Sequence, residues 1–114
     1  MSTKSAQQDA LRRYKADLFS VLAHPTRIHI VELLRDGERS VSSIIESTGI
    51  EAANASQHLA ILRAKGLVIA RKDGNQVFYS LRDSALVQVL DGMRHLFQTH
   101  LEATVGLLKG MEDS

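Results

Sequence analysis

The 114-residue chain has no cysteine and a single proline. Without cysteine there are no disulfides, no thiolate metal sites and no thiol-based redox sensing. No apolar run approaches the ~18 residues that a membrane span needs. The opening residues, MSTKSAQQ, carry no apolar segment of the kind a signal peptide has. No membrane partner is therefore expected, and the cytoplasm is the expected compartment. Internal repeats and low-complexity tracts are also missing. So are a glycine-rich phosphate loop, a His-Glu-x-x-His motif and a cysteine nucleophile, so an enzyme is not expected.

What is present is an ordinary globular composition with an uneven charge distribution. Hydrophobic residues make up 44%, and the net charge is +1. A chain of this length predicts one domain, 1–114, with short flexible ends at about 1–7 and 110–114. Its core would be modest, and pairing with a second copy would enlarge it. Between residues 52 and 82, five basic side chains (Arg63, Lys65, Arg71, Lys72, Arg82) face one acid, Asp73, giving +4 and leaving −3 for the rest. A local basic stretch is the electrostatic footprint of a nucleic-acid binder, or equally a solvated surface with a bias of sign.

The periodicity predicts five helices and a hairpin. Leu11, Tyr14, Leu18, Phe19 and Leu22 fall at helical spacing, giving an amphipathic first helix. Pro25 fits the first turn of a second helix, where its missing N–H costs nothing. That helix is almost wholly apolar and so central, with Gly37 as its stop. A short third helix follows around Val41, Ile44 and Ile45, capped by Ser40 or Ser42 and ended by Gly49. The fourth spans about 52–65. Two strand-like runs, Leu67–Ala70 and Val77–Leu81, flank Asp73-Gly74, a strong hairpin dipeptide. A last helix of about 25 residues starts near Ser84 and is ~37 Å long.

The fourth helix is the informative one. In EAANASQHLAILRAKGLV (Glu51–Val68) the first half is small and polar and the second half apolar. A helix serving only the core would keep its apolar stripe from end to end. Small polar side chains instead let a helix end enter a narrow space and still offer hydrogen bonds, as a DNA major groove requires. A short helix, a glycine turn and this helix make a helix-turn-helix, and the hairpin after it makes a wing. The fold class is thus mainly α with a small β-hairpin, a winged helix-turn-helix in the order α-α-α-α-β-β-α. The first and last helices carry apolar faces through Leu11, Tyr14, Leu18, Leu90, Met93, Phe97 and Leu101. These faces predict a dimer interface, the alternative being that each folds back on its own domain.

LFSVLAHPTRIHIVELL (Leu18–Leu34) and SQHLAILRAKGLVIARKDGNQVFYSL (Ser56–Leu81) together resemble the ArsR/SmtB family of bacterial winged helix-turn-helix regulators. The Leu-Ala-His-Pro-Thr-Arg segment, the Ser-x-His-Leu-x-x-Leu helix, the Gly-Leu-Val strand entry and the tyrosine after the wing agree in order and spacing. The resemblance covers about residues 10–110. It implies a homodimer on a near-palindromic double-stranded operator, usually as a repressor, with recognition helices ~34–36 Å apart on one DNA face. By that resemblance Ala53, Asn54, Ser56 and Gln57 face the groove. Asn54 and Gln57 suit adenine N6/N7, Ala53 a thymine methyl and Ser56 a phosphate. His58 is a phosphate contact, a structural contact or a surface histidine. Arg63 and Lys65 are candidates for phosphate. In the wing, 71–77, Arg71, Lys72, Asn75 and Gln76 are candidates for the backbone or minor groove. Where relatives start this helix with Ser or Thr, Glu51 and Ala52 stand here. Glu51 is expected to cap weakly and to repel phosphate.

The resemblance also implies metal sites, and the residues at those places do not suit them. The cysteine pair that begins the third helix in metal-sensing relatives is Ser40 and Ser42, and neutral hydroxyls are poor ligands for soft metals. Of the four ligands shared across the last helices, only Asp83 is in place; the others are Ala85, Leu96 and Thr99. His29 and Glu32 share a helix face at i,i+3. His95 and His100 lie ~140° apart round a helix and cannot chelate one ion as a local pair. A Ni2+ or Zn2+ ion held by histidine and carboxylate is one open reading. The others are an organic ligand, a sensor partner protein or no effector. An activator, a partner-sensed regulator and a winged-helix protein-interaction module are the alternative functions.

Overall fold

The computed structural model describes residues 3–112. The elements run α1 (Thr3–Leu22), α2 (Pro25–Leu33), β1 (Arg39–Ser40), α3 (Val41–Thr48), α4 (Ala52–Ala64), β2 (Val68–Asp73), β3 (Gln76–Leu81) and α5 (Ala85–Glu112). Residues 3–7 and 110–112, read from sequence as flexible ends, are helical. Lys4, Ala6, Gln7 and Lys109 are good helix formers, and α1 and α5 run through them. The remainder of those tails lies outside the described residues.

The chain divides into two compact units, up to Asp83 and from Ser84 onward. The first unit has a closed core. Val21 and Leu22 of α1, Ile30 and Val31 of α2, Ile44 of α3, Ala55, Leu59 and Leu62 of α4, and Val68 of β2 are all at most 5% exposed. Each helix therefore contributes a buried stripe, as a helix around a shared core must. Pro25 opens α2 as expected, but its N-cap is His24, whose Nδ1 accepts the Thr26 N–H at 3.2 Å. Leu34–Asp36 form a 3-10 turn between α2 and Gly37, which the apolar pattern did not reveal.

Of the two candidate caps for α3, Ser40 does the work, its Oγ accepting from Ser43 N–H at 3.1 Å. Gly49 ends α3 at φ +71°, a left-handed conformation that glycine adopts at no steric cost. At the end of α4, Leu67 N–H donates to Leu62 C=O at 2.9 Å and Gly66 N–H to Arg63 C=O at 3.0 Å. This is the Schellman pattern, and it turns the chain directly into β2.

The hairpin pairs Val68 with Leu81 through to Asp73 with Gln76, leaving Gly74-Asn75 as a two-residue loop. Its turn is thus one residue later than the Asp73-Gly74 expectation. Only the first central residue, Gly74 (φ +61°), has positive φ, the type II′ pattern suited to strand twist. Two strand-like runs were expected; the sheet has three strands. Arg39 and Ser40 pair antiparallel with Tyr79 and Phe78, in the order β1-β3-β2. A two-residue strand has no period to recognise. It matters because it ties the wing to the start of α3.

The second unit is α5, 28 residues and so ~42 Å long. Ser84 C=O accepts from Val87 N–H at 3.0 Å to start it. Leu86 and Leu90 are buried, and from Asp91 onward every described residue of the helix is exposed.

Candidate nucleic-acid interface

α3, the Gly49 turn and α4 form the helix-turn-helix, and β2–β3 the wing. One arginine braces it. Arg39 donates from Nε to the Leu33 carbonyl at 2.9 Å and from Nη1 to Ser43 and Ser47 Oγ at 3.2 and 3.3 Å. It thereby fixes the end of α2 to α3, and no motif marked it in the sequence.

α4 resolves the asymmetry of its own sequence. Ala55, Leu59 and Leu62 are 0–1% exposed, so the inward stripe continues into the polar half through an alanine. A residue this small lets the helix start lie close against the core. Around it, Ala53, Asn54, Ser56 and Gln57 are all exposed. Asn54 and Gln57 lie three apart, on one face. Glu51 occupies the N-cap in extended conformation but makes no side-chain capping bond. Its expected weak cap is therefore absent, and the first N–H groups of α4 remain open outward. The extra methylene of glutamate over aspartate works against the short reach that a cap needs.

His58 turns inward. Its ring centroid lies 4.4 Å from that of His24, the residue capping α2. Its Nδ1 is buried without a hydrogen-bond partner, as is Arg27 Nε. Burial is the main cause that lowers the His58 pKa, and the nearby positive charges of His24 and Arg27 act in the same direction. A half-buried imidazole joins α4 to α2, and its Nδ1 is out of reach of an external phosphate.

The cationic candidates differ in their freedom. Arg63 and Lys72 are exposed. Lys65 Nζ lies 3.7 Å from Asp17 on α1, with both side chains more than half exposed, a weak pairing. Arg71 is committed. It donates from Nε and Nη2 to the two oxygens of Glu38 at 3.0 and 2.6 Å, and its Nη1 is 3.6 Å from Asp73. The hydrogen bond to Glu38 raises the Arg71 pKa and lowers that of Glu38. Between wing and helix lies an open cleft of about 390 Å³, lined by Ser40, Ser42, Ser56, Asn75, Gln76 and Tyr79 among others. Hydroxyls and amides of α3, α4 and the wing tip thus converge on one concave surface.

The metal positions give no comparable convergence. Ser40 Oγ is engaged as a helix cap, and Ser42 offers only a hydroxyl. His29 and Glu32 lie exposed on α2, and His95 and His100 lie exposed on α5. Among the described residues, no three His, Asp or Glu side chains come together to hold an ion. The residues present do not fit either metal site that the resemblance implied.

Comparison with known proteins agrees with this geometry. The sequence profile of the bacterial regulatory proteins of the arsR family matches residues 24–70, from the α2 cap to β2. The HTH-type transcriptional regulator Rv0081 of Mycobacterium tuberculosis is 38% identical over 106 residues, 92% of this chain and 93% of that protein. The chain belongs to the arsR family. This regulator's fold also matches the homodimeric winged helix-turn-helix DNA-binding domain Mb0332 of Mycobacterium bovis. The TM-score is 0.77 and the identity 31%, over 90% of this chain and 94% of that one. The transcriptional repressor BigR of Xylella fastidiosa matches with TM-score 0.72 and 31% identity, over 85% and 97% of the two chains. The winged helix-turn-helix architecture and the assignment as a transcriptional regulator read from sequence both hold. No helix among the described residues is long and apolar enough to cross a membrane.

Proposed function

We propose that this regulator is a homodimeric, sequence-specific repressor that places α4 in the major groove of a near-palindromic operator and its wing on the flanking DNA. The observation that carries the reading is α4 itself. Its inward stripe is anchored by Ala55, Leu59 and Leu62, while Ala53, Asn54, Ser56 and Gln57 stand exposed at the end that enters the groove. Asn54 and Gln57 read base edges. Ser56, Arg63, Lys65, Lys72, Asn75 and Gln76 supply phosphate and sugar contacts, which give affinity and salt dependence. The repressor role is supported by BigR, and the dimer by the homodimeric domain of Mb0332. In this chain Leu11 and Tyr14 on α1, and Met93, Phe97 and Leu101 on α5, are 41–66% exposed and open to a second copy. Of the other residues expected there, Leu90 is 8% exposed and Leu18 is half-buried.

The residues at the family's two familiar metal sites do not suit a metal, which leaves an organic ligand, a partner protein or no effector. The test is fluorescence anisotropy on the DNA upstream of the protein's own gene against scrambled DNA, first with a chelator and then with Ni2+, Zn2+ or Co2+. Specific binding unmoved by each metal is the expected result. Equal affinity for both DNAs would overturn the DNA reading. A tenfold shift with a metal, ~1.4 kcal/mol of coupling, would restore a metal effector.

A further inference from the structure

The backbone link between the wing and the start of α3 is short. Only Arg39 and Ser40 of β1 pair with β3, and α3 begins at the next residue. One side-chain assembly links β2 and β3 to the residue just before β1. Arg71 of β2 stands opposite Phe78 of β3, and Phe78 stands opposite Ser40 of β1. The Arg71 guanidinium lies 4.7 Å from the centre of the Phe78 ring and reaches the Glu38 carboxylate just before β1. Two parallel N–H···O bonds of this kind fix direction as well as distance. Lysine, a point charge, cannot reproduce them.

The assembly lies on a defined side of the sheet. Val77 and Tyr79 line the cleft that also holds Ser56 of α4 and Asn75 of the wing tip. Successive strand side chains point to opposite faces, and Val68 of β2 is buried while Ile69 is 45% exposed, so Arg71, in step with Ile69, and Phe78 opposite it lie on the face turned from the core. Lys72, opposite Val77, lies on the other face. Arg71 is thus held on Glu38 at the outer face of the sheet. Its charge is met by Glu38 and, more loosely, by Asp73.

We propose that Glu38, Arg71 and Phe78 form a clasp that sets the angle of the wing on the helix-turn-helix. Arg71 is then a positioning residue for DNA binding and not a phosphate contact. The inference rests on the DNA-binding reading above. It replaces the sequence-based role of Arg71 and gives Glu38, which no motif marked, a part in operator affinity.

The test uses the full-length protein and its upstream DNA, with affinity measured by anisotropy across a series of salt concentrations. The variants are Glu38→Gln, Arg71→Gln, Arg71→Lys, the double Glu38→Gln/Arg71→Gln and the swap Glu38→Arg/Arg71→Glu. Lys72→Ala serves as the reference for a phosphate contact. Each single clasp variant is expected to weaken specific binding about three- to fivefold, the range of a well-formed exposed pair. The log–log salt slope stays unchanged. The double variant binds no worse than either single one, and the swap recovers most of the loss despite an acid at position 71.

Arg71→Lys is decisive because it keeps the charge and the fold while removing the fork. Wild-type affinity for Arg71→Lys would overturn the clasp, as would a slope flattened by about 1 in Arg71→Gln. Tighter binding by Glu38→Gln would make Glu38 a competitor for a DNA-contacting arginine and would also overturn it. Failure of the DNA reading shows separately: the wild type would then not distinguish its upstream DNA from scrambled DNA.

Discussion

At the scale of single residues, side chains that look alike in sequence divide by what they touch. Gln57 is exposed at the reading end of α4 and can bond two atoms of an adenine edge. Gln57→Ala should cost about 1–3 kcal/mol on the operator and relax base choice at one position. Titration against operator and random DNA checks this, and equal losses on the two would remove Gln57 from the base-reading set. Lys72, exposed on the wing, should act through charge. Lys72→Ala should weaken both DNAs alike and flatten the salt slope by about 1, and an unchanged slope would sink that role. His58 gives a pH dependence of stability. Its pKa in the folded protein lies below its ordinary 6.5, because burial and then His24 and Arg27 disfavour the charged form. The unfolded chain therefore takes up this proton first. The stabilising contribution is complete above about pH 6.5 and is lost as the pH falls from there through the lowered folded value. Melting temperatures at about pH 7.5 and about pH 5.5 should fall further apart for the wild type than for His58→Gln. Equal drops in the two proteins would show that another group carries the effect.

At the scale of elements, α4 joins two demands in thirteen residues, and its start is its weak point. Glu51 holds the N-cap position without capping. Glu51→Ser should supply the missing bond and raise stability by about 0.5–1 kcal/mol. It also removes a carboxylate from a helix end directed at phosphates, so operator binding should tighten. A variant that melts no higher and binds no tighter would show that Glu51 has a partner role that serine lacks. Much of this level was legible beforehand. Pro25, Gly49 and the split composition of α4 marked the helix-turn-helix, and alternation with Asp73-Gly74 marked the wing. What escaped was carried by single side chains or by segments too short for a period. The His24 cap, the two-residue β1, the brace of Arg39 and the fork of Arg71 on Glu38 depend on contacts between positions whose distance in sequence says nothing of their distance in space. Arg71 shows this most clearly. As a basic residue in a wing it counted toward DNA, and only the fold shows its guanidinium held by Glu38.

At the scale of the whole molecule, the described residues expose a run of large apolar side chains. On α5 alone, Leu96, Phe97, Leu101, Leu107, Leu108 and Met111 are 49–73% exposed. Patches of this extent mark association surfaces. A second copy covers them most economically, because an isologous pairing lets the same residues serve both sides and matches a palindromic operator. Leu101→Glu tests this at one point. The side chain lies outside the buried core, so the fold should survive while a carboxylate enters the apolar face. Sedimentation should then report the 12.6 kDa single chain in place of twice that mass. Operator affinity should fall about a hundredfold or more, since two linked recognition helices gain by effective concentration what one alone lacks. The salt slope should shrink with the number of phosphates contacted. If Leu101→Glu remains dimeric with operator affinity intact, this part of α5 is not the interface. If it becomes monomeric and still binds as tightly, one subunit suffices for recognition, and the paired-helix geometry is not what confers specificity.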